Sequence, residues 1–301
     1  MGAADGRIIG ATKIVDNGDA AERWNLVIVS EGYQQGELSQ FAADAQSFVD
    51  TLAVTAPFDG LIRAVNVYRM DVASTDSGAD DPSACGGSGA APATFFDASF
   101  CTNGIQRLLV VDNLAVFNAA NTEVPEWHMV LVIVNSPVYG GSGGQVGVFS
   151  LASGANEIAL HEMGHTAFGL ADEYEFYAGC GVDRDRDRHP PVEPIEPNVT
   201  IDANRATLKW ASLVDAATPL PTTSNPNCAQ CDPQPSPVPS ETVGAFEGAH
   251  YHHCGAFRPA FNCRMRALNQ PFCPVCQQRI RETLAPFLPP PEDPSCEPIY
   301  E

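Results

Sequence analysis

His161-Glu162-Met163-Gly164-His165, followed without a gap by TAFGLADEY at 166–174, is the stretch from which the rest of the chain is read. On an α-helix, a four-residue spacing sets His161 and His165 on one face, one turn apart, where two neutral imidazoles can share a metal ion. Glu162 stands beside the first histidine, suited to take a proton from a metal-activated water. The preceding ANEIAL at 155–160 supports a helix that starts near Ala155. A catalytic zinc site needs a third protein ligand and one open position. Asp172 lies seven residues past His165, and a continuing helix would carry it roughly 10 Å along the axis, out of reach. Gly169 offers a left-handed helix end that turns the chain back. With that break Asp172 is the expected third ligand, and Glu173 is the alternative.

Upstream, the pattern is that of a sheet with helices. Asn25–Ser30 (NLVIVS) reads as a buried strand closed by the turn Glu31-Gly32-Tyr33. Leu38, Phe41, Ala42, Ala45, Phe48, Val49 and Leu52 fall on one helical stripe between Glu37 and Leu52. Asn66–Val72 and Leu108–Val111 are further strand candidates. Met129–Asn135 (MVLVIVN) is apolar at alternate and intervening positions alike, which suits a central strand. YGGSGG at 139–144 reads as a turned loop, and Val146–Ser150 as a short returning strand. That strand is the expected edge on which an extended peptide would pair.

Downstream the texture changes. Residues 182–197 and 217–240 are rich in Pro and polar residues, and eight of the ten cysteines lie from Cys180 onward. The expected organisation is an α/β (α+β) chain. Residues 1–168 form a lobe with sheet and metal-bearing helix, and 169–301 a loop-rich, cysteine-rich lobe with the third ligand.

Composition narrows the function classes. The 301 residues carry 16 Lys plus Arg against 37 Asp plus Glu, a formal charge of -21, which disfavours nucleic acid and anionic membranes as partners. No apolar run reaches bilayer length. The opening MGAADGRIIG lacks the charged-then-apolar order of a leader, yet ten cysteines suit an oxidising compartment, so a secreted or periplasmic, monomeric protein is expected. Cys228-x-x-Cys231 and Cys273-x-x-Cys276 have spacings seen in structural zinc sites, but disulfides are the favoured expectation for both. Asp183, Asp185 and Asp187 alternate with arginines and lack the glycine and final glutamate of a calcium loop, so a self-neutralised loop is expected. His250, His252 and His253 cluster beside Tyr251 in HYHHC. A polar loop near the cleft is the expectation, with His250 or Tyr251 as candidate oxyanion contacts. Arg258 is a candidate for holding a substrate carboxylate or a structural acid.

The His161–His165 motif with Gly169-Leu170-Ala171-Asp172-Glu173-Tyr174 resembles the IgA-peptidase family of zinc metallopeptidases. The likeness continues in SEGYQQGE, NVYRMDVASTDSG and VNSPVYGGSGG, then in KW at 209–210, FEGAHY at 246–251, and FRPAFNCRMR followed by FCPVC. It implies a metzincin-like fold with a mixed sheet and the metal-bearing helix under a cleft, and it implies that Met265 forms a methionine turn below the metal. The common metzincin pattern sets its glycine and third ligand one position nearer the helix, and that ligand is commonly histidine. Zinc-dependent cleavage of protein or peptide chains, with Glu162 as base, is the expected function. A recognition module that keeps a metallopeptidase scaffold without cleaving is the alternative.

Overall fold

The computed structural model describes residues 5–177, 179–180, 186–231 and 235–290. Asp183, Asp185 and Cys296 lie outside the described residues. Strand β1 (Gly6–Val15) leads into β2 (Trp24–Glu31), helix α1 (Leu38–Val54) and β3 (Val65–Ser74). Helix α2 (Asn113–Glu123) precedes β4 (Met129–Val134), β5 (Gly141–Ser142), β6 (Gly147–Ser150) and helix α3 (Ala155–Phe168). The hairpin β7 (Phe246–Ala249) and β8 (His252–Arg258) and helix α4 (Pro274–Leu284) complete the ordered elements.

The first six strands form one mixed sheet in the order β1-β3-β2-β4-β6-β5. β3, β2, β4 and β6 run parallel, while β1 and β5 are antiparallel margins. β2 and β4 are buried along their whole lengths because both sheet faces are covered. Side chains alternate between two cores with the period of two that a strand dictates. Leu26, Ile28, Met129, Leu131 and Ile133 meet α1, α3 and α4, whereas Val27, Val29, Val130, Val132 and Val134 meet α2 and the loop residues around Phe96 and Leu109. On α1 the predicted stripe is buried at Phe41, Ala45, Phe48, Val49 and Leu52. Each such large side chain contributes about 1.5–3 kcal/mol by leaving water. The first core joins β2 to Cys276 and Leu284, so it draws on residues from both halves of the chain.

Several expectations need correction. Leu108–Val111 forms no strand, because its backbone divides between two partners: Leu109 N–H donates to Gly141 O (3.4 Å) and Val110 N–H to Ser99 O (3.0 Å). The glycine run read as a loop contributes the marginal strand β5. β6 is not an edge, since it is flanked by β4 and β5 and has no open side for a peptide. The HYHHC segment is no loose loop: His250 and Tyr251 are the two central residues of the β7–β8 turn. Disulfides join Cys85–Cys101, Cys180–Cys231 and Cys228–Cys254, so Cys228 and Cys231 bond to different partners. Cys273 and Cys276, expected to take part in disulfides, are free. Both thiols lie at the start of α4, buried and turned toward Cys263, which is also free. Among the described residues no helix is long and apolar enough to cross a membrane.

Candidate metal centre

α3 sets His161, Glu162 and His165 facing a cleft of about 1010 Å³. The helix ends as its sequence dictates. Gly169 is left-handed (φ 62°, ψ 35°), its N–H bonds to His165 O (3.1 Å), and Leu170 N–H bonds to Gly164 O (3.1 Å). The chain thereby doubles back under the helix. Leu170 O receives His165 Nδ1 (2.7 Å), and Arg264 O receives His161 Nδ1 (3.0 Å).

These two carbonyls fix the tautomers. A carbonyl oxygen only accepts, so each Nδ1 carries the hydrogen and each Nε2 presents a lone pair. The two Nε2 atoms stand 3.2 Å apart, and Asp172 Oδ1 lies 3.0 Å from that of His161 and 3.1 Å from that of His165. Asp172 is 5% exposed, and its Oδ1 has no hydrogen-bond donor. Three electron-pair donors therefore face one another on the cleft wall, with Asp172 itself buried, which is unfavourable without a cation between them. Edges of this length fit a common point about 2 Å from each donor, the ligand distance of zinc with nitrogen and carboxylate oxygen. In its electrostatics the cluster attracts positive charge. Burial pushes the His165 imidazole down, yet the Asp172 carboxylate outweighs it and holds it up at about 9, so a metal ion binding these donors would displace a proton from Nε2. Burial likewise pushes the Asp172 carboxyl up, and the charge of the His165 imidazole holds it well below the usual range.

Around this trio stands a shell that sequence reasoning missed. Asn198, fully buried, accepts from Ala171 N–H (2.8 Å) and donates to Ala171 O (2.9 Å) and Glu173 Oε1 (2.9 Å), clamping the turn that carries Asp172. No local pattern announces it, since its partners lie 25 and 27 residues earlier. Tyr174 lies parallel to His161, ring centroids 6.5 Å apart. Arg107 and Tyr139 also line the cleft.

Glu162 is 8% exposed, and burial pushes its carboxyl above the usual range. A Cβ on Gly141 would stand 3.0 Å from Glu162 Oε1, and one on Gly143 would stand 2.5 Å from His165 Cβ. The glycines beside β5 thus let the backbone approach both groups. Met265 is fully buried, and its Sδ would lie 2.5 Å from a Cβ on Gly164. Met265 O accepts from Glu173 N–H (2.7 Å).

The remaining candidates separate. His250 and Tyr251 both adopt positive φ (53° and 66°), the conformation of a two-residue hairpin turn that usually selects Asn-Gly. That strained turn directs Tyr251 Oη onto Asp172 Oδ2 at 2.6 Å, and both turn residues line the cleft. His250 Nδ1 meets His189 Nε2 (2.9 Å), while His252 and His253 direct Nδ1 to the carbonyls of His250 and Cys228. Arg258 is 2% exposed and donates to the carbonyls of Glu247 and Gly248, beside Glu175 (3.9 Å). It faces structural acceptors. Glu173 does not join the trio: its carboxylate turns to the other side, toward Cys276.

An HExxH helix on a mixed sheet, with two imidazoles and a carboxylate converging in a cleft, is the architecture of a peptidase. Residues 12–230 and 235–284 match the family model described as IgA Peptidase M64, and the chain belongs to that family. No curated protein matches the chain.

Proposed function

We propose that the chain is a zinc-dependent endopeptidase in which His161, His165 and Asp172 hold one catalytic zinc ion and Glu162 is the general base. The observation that carries this reading is the convergence of His161 Nε2, His165 Nε2 and Asp172 Oδ1 within 3.2 Å of one another at the cleft. When bound there, zinc supplies a Lewis acid that polarises the scissile carbonyl and acidifies water. Glu162, adjacent to His161 and open to the same cleft, takes the proton of the attacking water and hands it to the departing amine. Its raised carboxyl suits that exchange, because a shuttle works best with a pKa nearer the working pH than an exposed carboxylate has. Tyr251 holds Asp172 through Oδ2, and Met265 supports α3 from below as the methionine turn. An extended substrate follows the cleft past Ser142–Gly144 and Arg107, the strip lining it beside α3. The substrate is a protein or peptide chain. The three disulfides among the described residues suit an enzyme working in an extracellular or periplasmic setting.

The test is a digest of a proteome-derived peptide library by the wild type and Glu162→Ala, each with and without chelator. Expected is cleavage by the wild type that chelation abolishes. Glu162→Ala retains zinc and fold while losing about 10²–10⁴-fold in rate. Full activity in Glu162→Ala, or wild-type cleavage indifferent to chelator, overturns the reading.

A further inference from the structure

Cys263, Cys273 and Cys276 are buried free thiols that converge with Glu173 on the far side of the Asp172 turn. One donor atom from each of the four lies within 4.8 Å of every other. We infer that Glu173, Cys263, Cys273 and Cys276 form a second, structural metal site of three sulfurs and one oxygen, suited to zinc.

Four observations converge on this. The first is edge length. Cys263 Sγ and Cys276 Sγ are 3.7 Å apart, and Cys276 Sγ is 3.4 Å from Glu173 Oε1. Sulfurs about 2.3 Å and an oxygen about 2.0 Å from a tetrahedral ion would be separated by about 3.8 and 3.5 Å. A disulfide needs about 2.05 Å. Second, Glu173 is fully buried, its Oε1 is held by Asn198, and its Oε2 has no hydrogen-bond partner. A buried carboxylate oxygen with nothing to bond to is costly unless a cation meets it. Third, Cys273 N–H points at Cys263 Sγ (3.3 Å), a backbone donor of the kind that stabilises a thiolate. Fourth, Cys273 and Cys276 open α4 with the spacing Cys-x-x-Cys, and Cys263 follows β8, so the three sulfurs come from two segments that a metal would tie together. Three thiols cannot all pair with one another, and this chain forms disulfides elsewhere. An ion explains why these three remain apart.

The site has a structural consequence. Glu173 is bonded in sequence to Asp172, its N–H holds Met265 O, and Cys263 stands two residues before Met265. An ion here fixes the third-ligand turn, the Met265 segment and the start of α4 at one point beneath α3.

Cobalt substitution tests this independently of catalysis. The His161, His165 and Asp172 set contains no sulfur, so sulfur-to-cobalt charge-transfer absorption reports the cysteine site alone. Expected is that band in the cobalt-loaded full chain, unchanged in His161→Ala, with metal content falling from about two ions per chain to about one in that variant. Cys276→Ser should lose about a third of the band, one thiolate of three. Should Cys276→Ser not fold, native-state thiol titration of the wild type decides: the three cysteines should be unreactive with metal and react after chelation. Absence of the band, or a disulfide among Cys263, Cys273 and Cys276 by mass mapping of native protein, overturns the inference. Neither result depends on whether the enzyme cleaves peptides.

Discussion

Tyr251 Oη donates to Asp172 Oδ2 at 2.6 Å while Asp172 Oδ1 faces His161 and His165, so one carboxylate is divided between a hairpin turn and the histidine pair. The phenol holds the carboxylate in the orientation that brings Oδ1 to the imidazoles. Its hydrogen stays in that bond, because burial, reinforced by the Asp172 charge, pushes the Tyr251 hydroxyl far above its usual range. Tyr251→Phe should therefore weaken metal retention and kcat/KM by about 10–100-fold, the usual cost of losing a partner to a ligand. Competition with a chromogenic chelator, alongside a circular dichroism spectrum matching the wild type, measures this. Unchanged zinc affinity would remove Tyr251 from the site.

Gly164 has no room for a side chain, since a Cβ would meet Met265 Sδ at 2.5 Å. Gly164→Ala should destabilise by about 1–3 kcal/mol, the ordinary range for overpacking. Thermal melts read the loss. Combined with Met265→Ala the penalty should shrink, because the sulfur is the obstacle, and a double-mutant cycle that finds strict additivity would contradict the contact.

Gly141→Ala tests the approach of β5 to Glu162. The added methyl would meet Ile158 Cγ2 at 2.8 Å and Glu162 Oε1 and Val148 O at 3.0 Å, shifting the carboxylate while leaving the metal donors alone. The expected outcome is a kcat lowered about tenfold, near 1.4 kcal/mol of barrier, with zinc content close to wild type and about 1–3 kcal/mol of stability lost to overpacking against Ile158 and Val148. A change confined to KM would count against it.

The Cys228–Cys254 bridge closes a loop over a separation of 26 residues and ends three residues past Tyr251. Replacing both cysteines with Ala should cost about 2–4 kcal/mol of stability. It should also loosen the His250–Tyr251 turn, so that activity falls at temperatures where the fold is still intact. Activity that tracks the folded fraction alone would separate the bridge from the site.

Much of this organisation was legible in the sequence because it is local. β2 and β4 announce themselves as unbroken apolar runs and α1 by its helical apolar stripe, and α3 ends at Gly169 because left-handed backbone favours glycine. The elements that escaped notice lack a local signature. β5 is two residues inside a glycine run. The β7–β8 turn is built on His250-Tyr251, a pair that no turn preference would select. α4 did carry one signal, Pro274 at its first turn, which the cysteines around it obscured. Asn198 was invisible for a different reason: its role exists only once residues 171–173 have folded back onto it. Disulfide partners were illegible too, since Cys228 and Cys231, three apart in sequence, bond to Cys254 and Cys180.

Asp172 and Glu173 are joined by a single peptide link, yet their carboxylates go to opposite sides, one to the imidazoles and the other to the thiols. That makes the turn after Gly169 a register mark as well as a connection. Deleting one residue between Gly169 and Asp172 would not merely shorten the reach. It would hand the histidines the glutamate and set Tyr174 where the cysteines now meet Glu173, disturbing both clusters in one stroke. The length of this segment is therefore held from both sides, and a chain that drifted to a different spacing would have to rebuild two buried clusters at once.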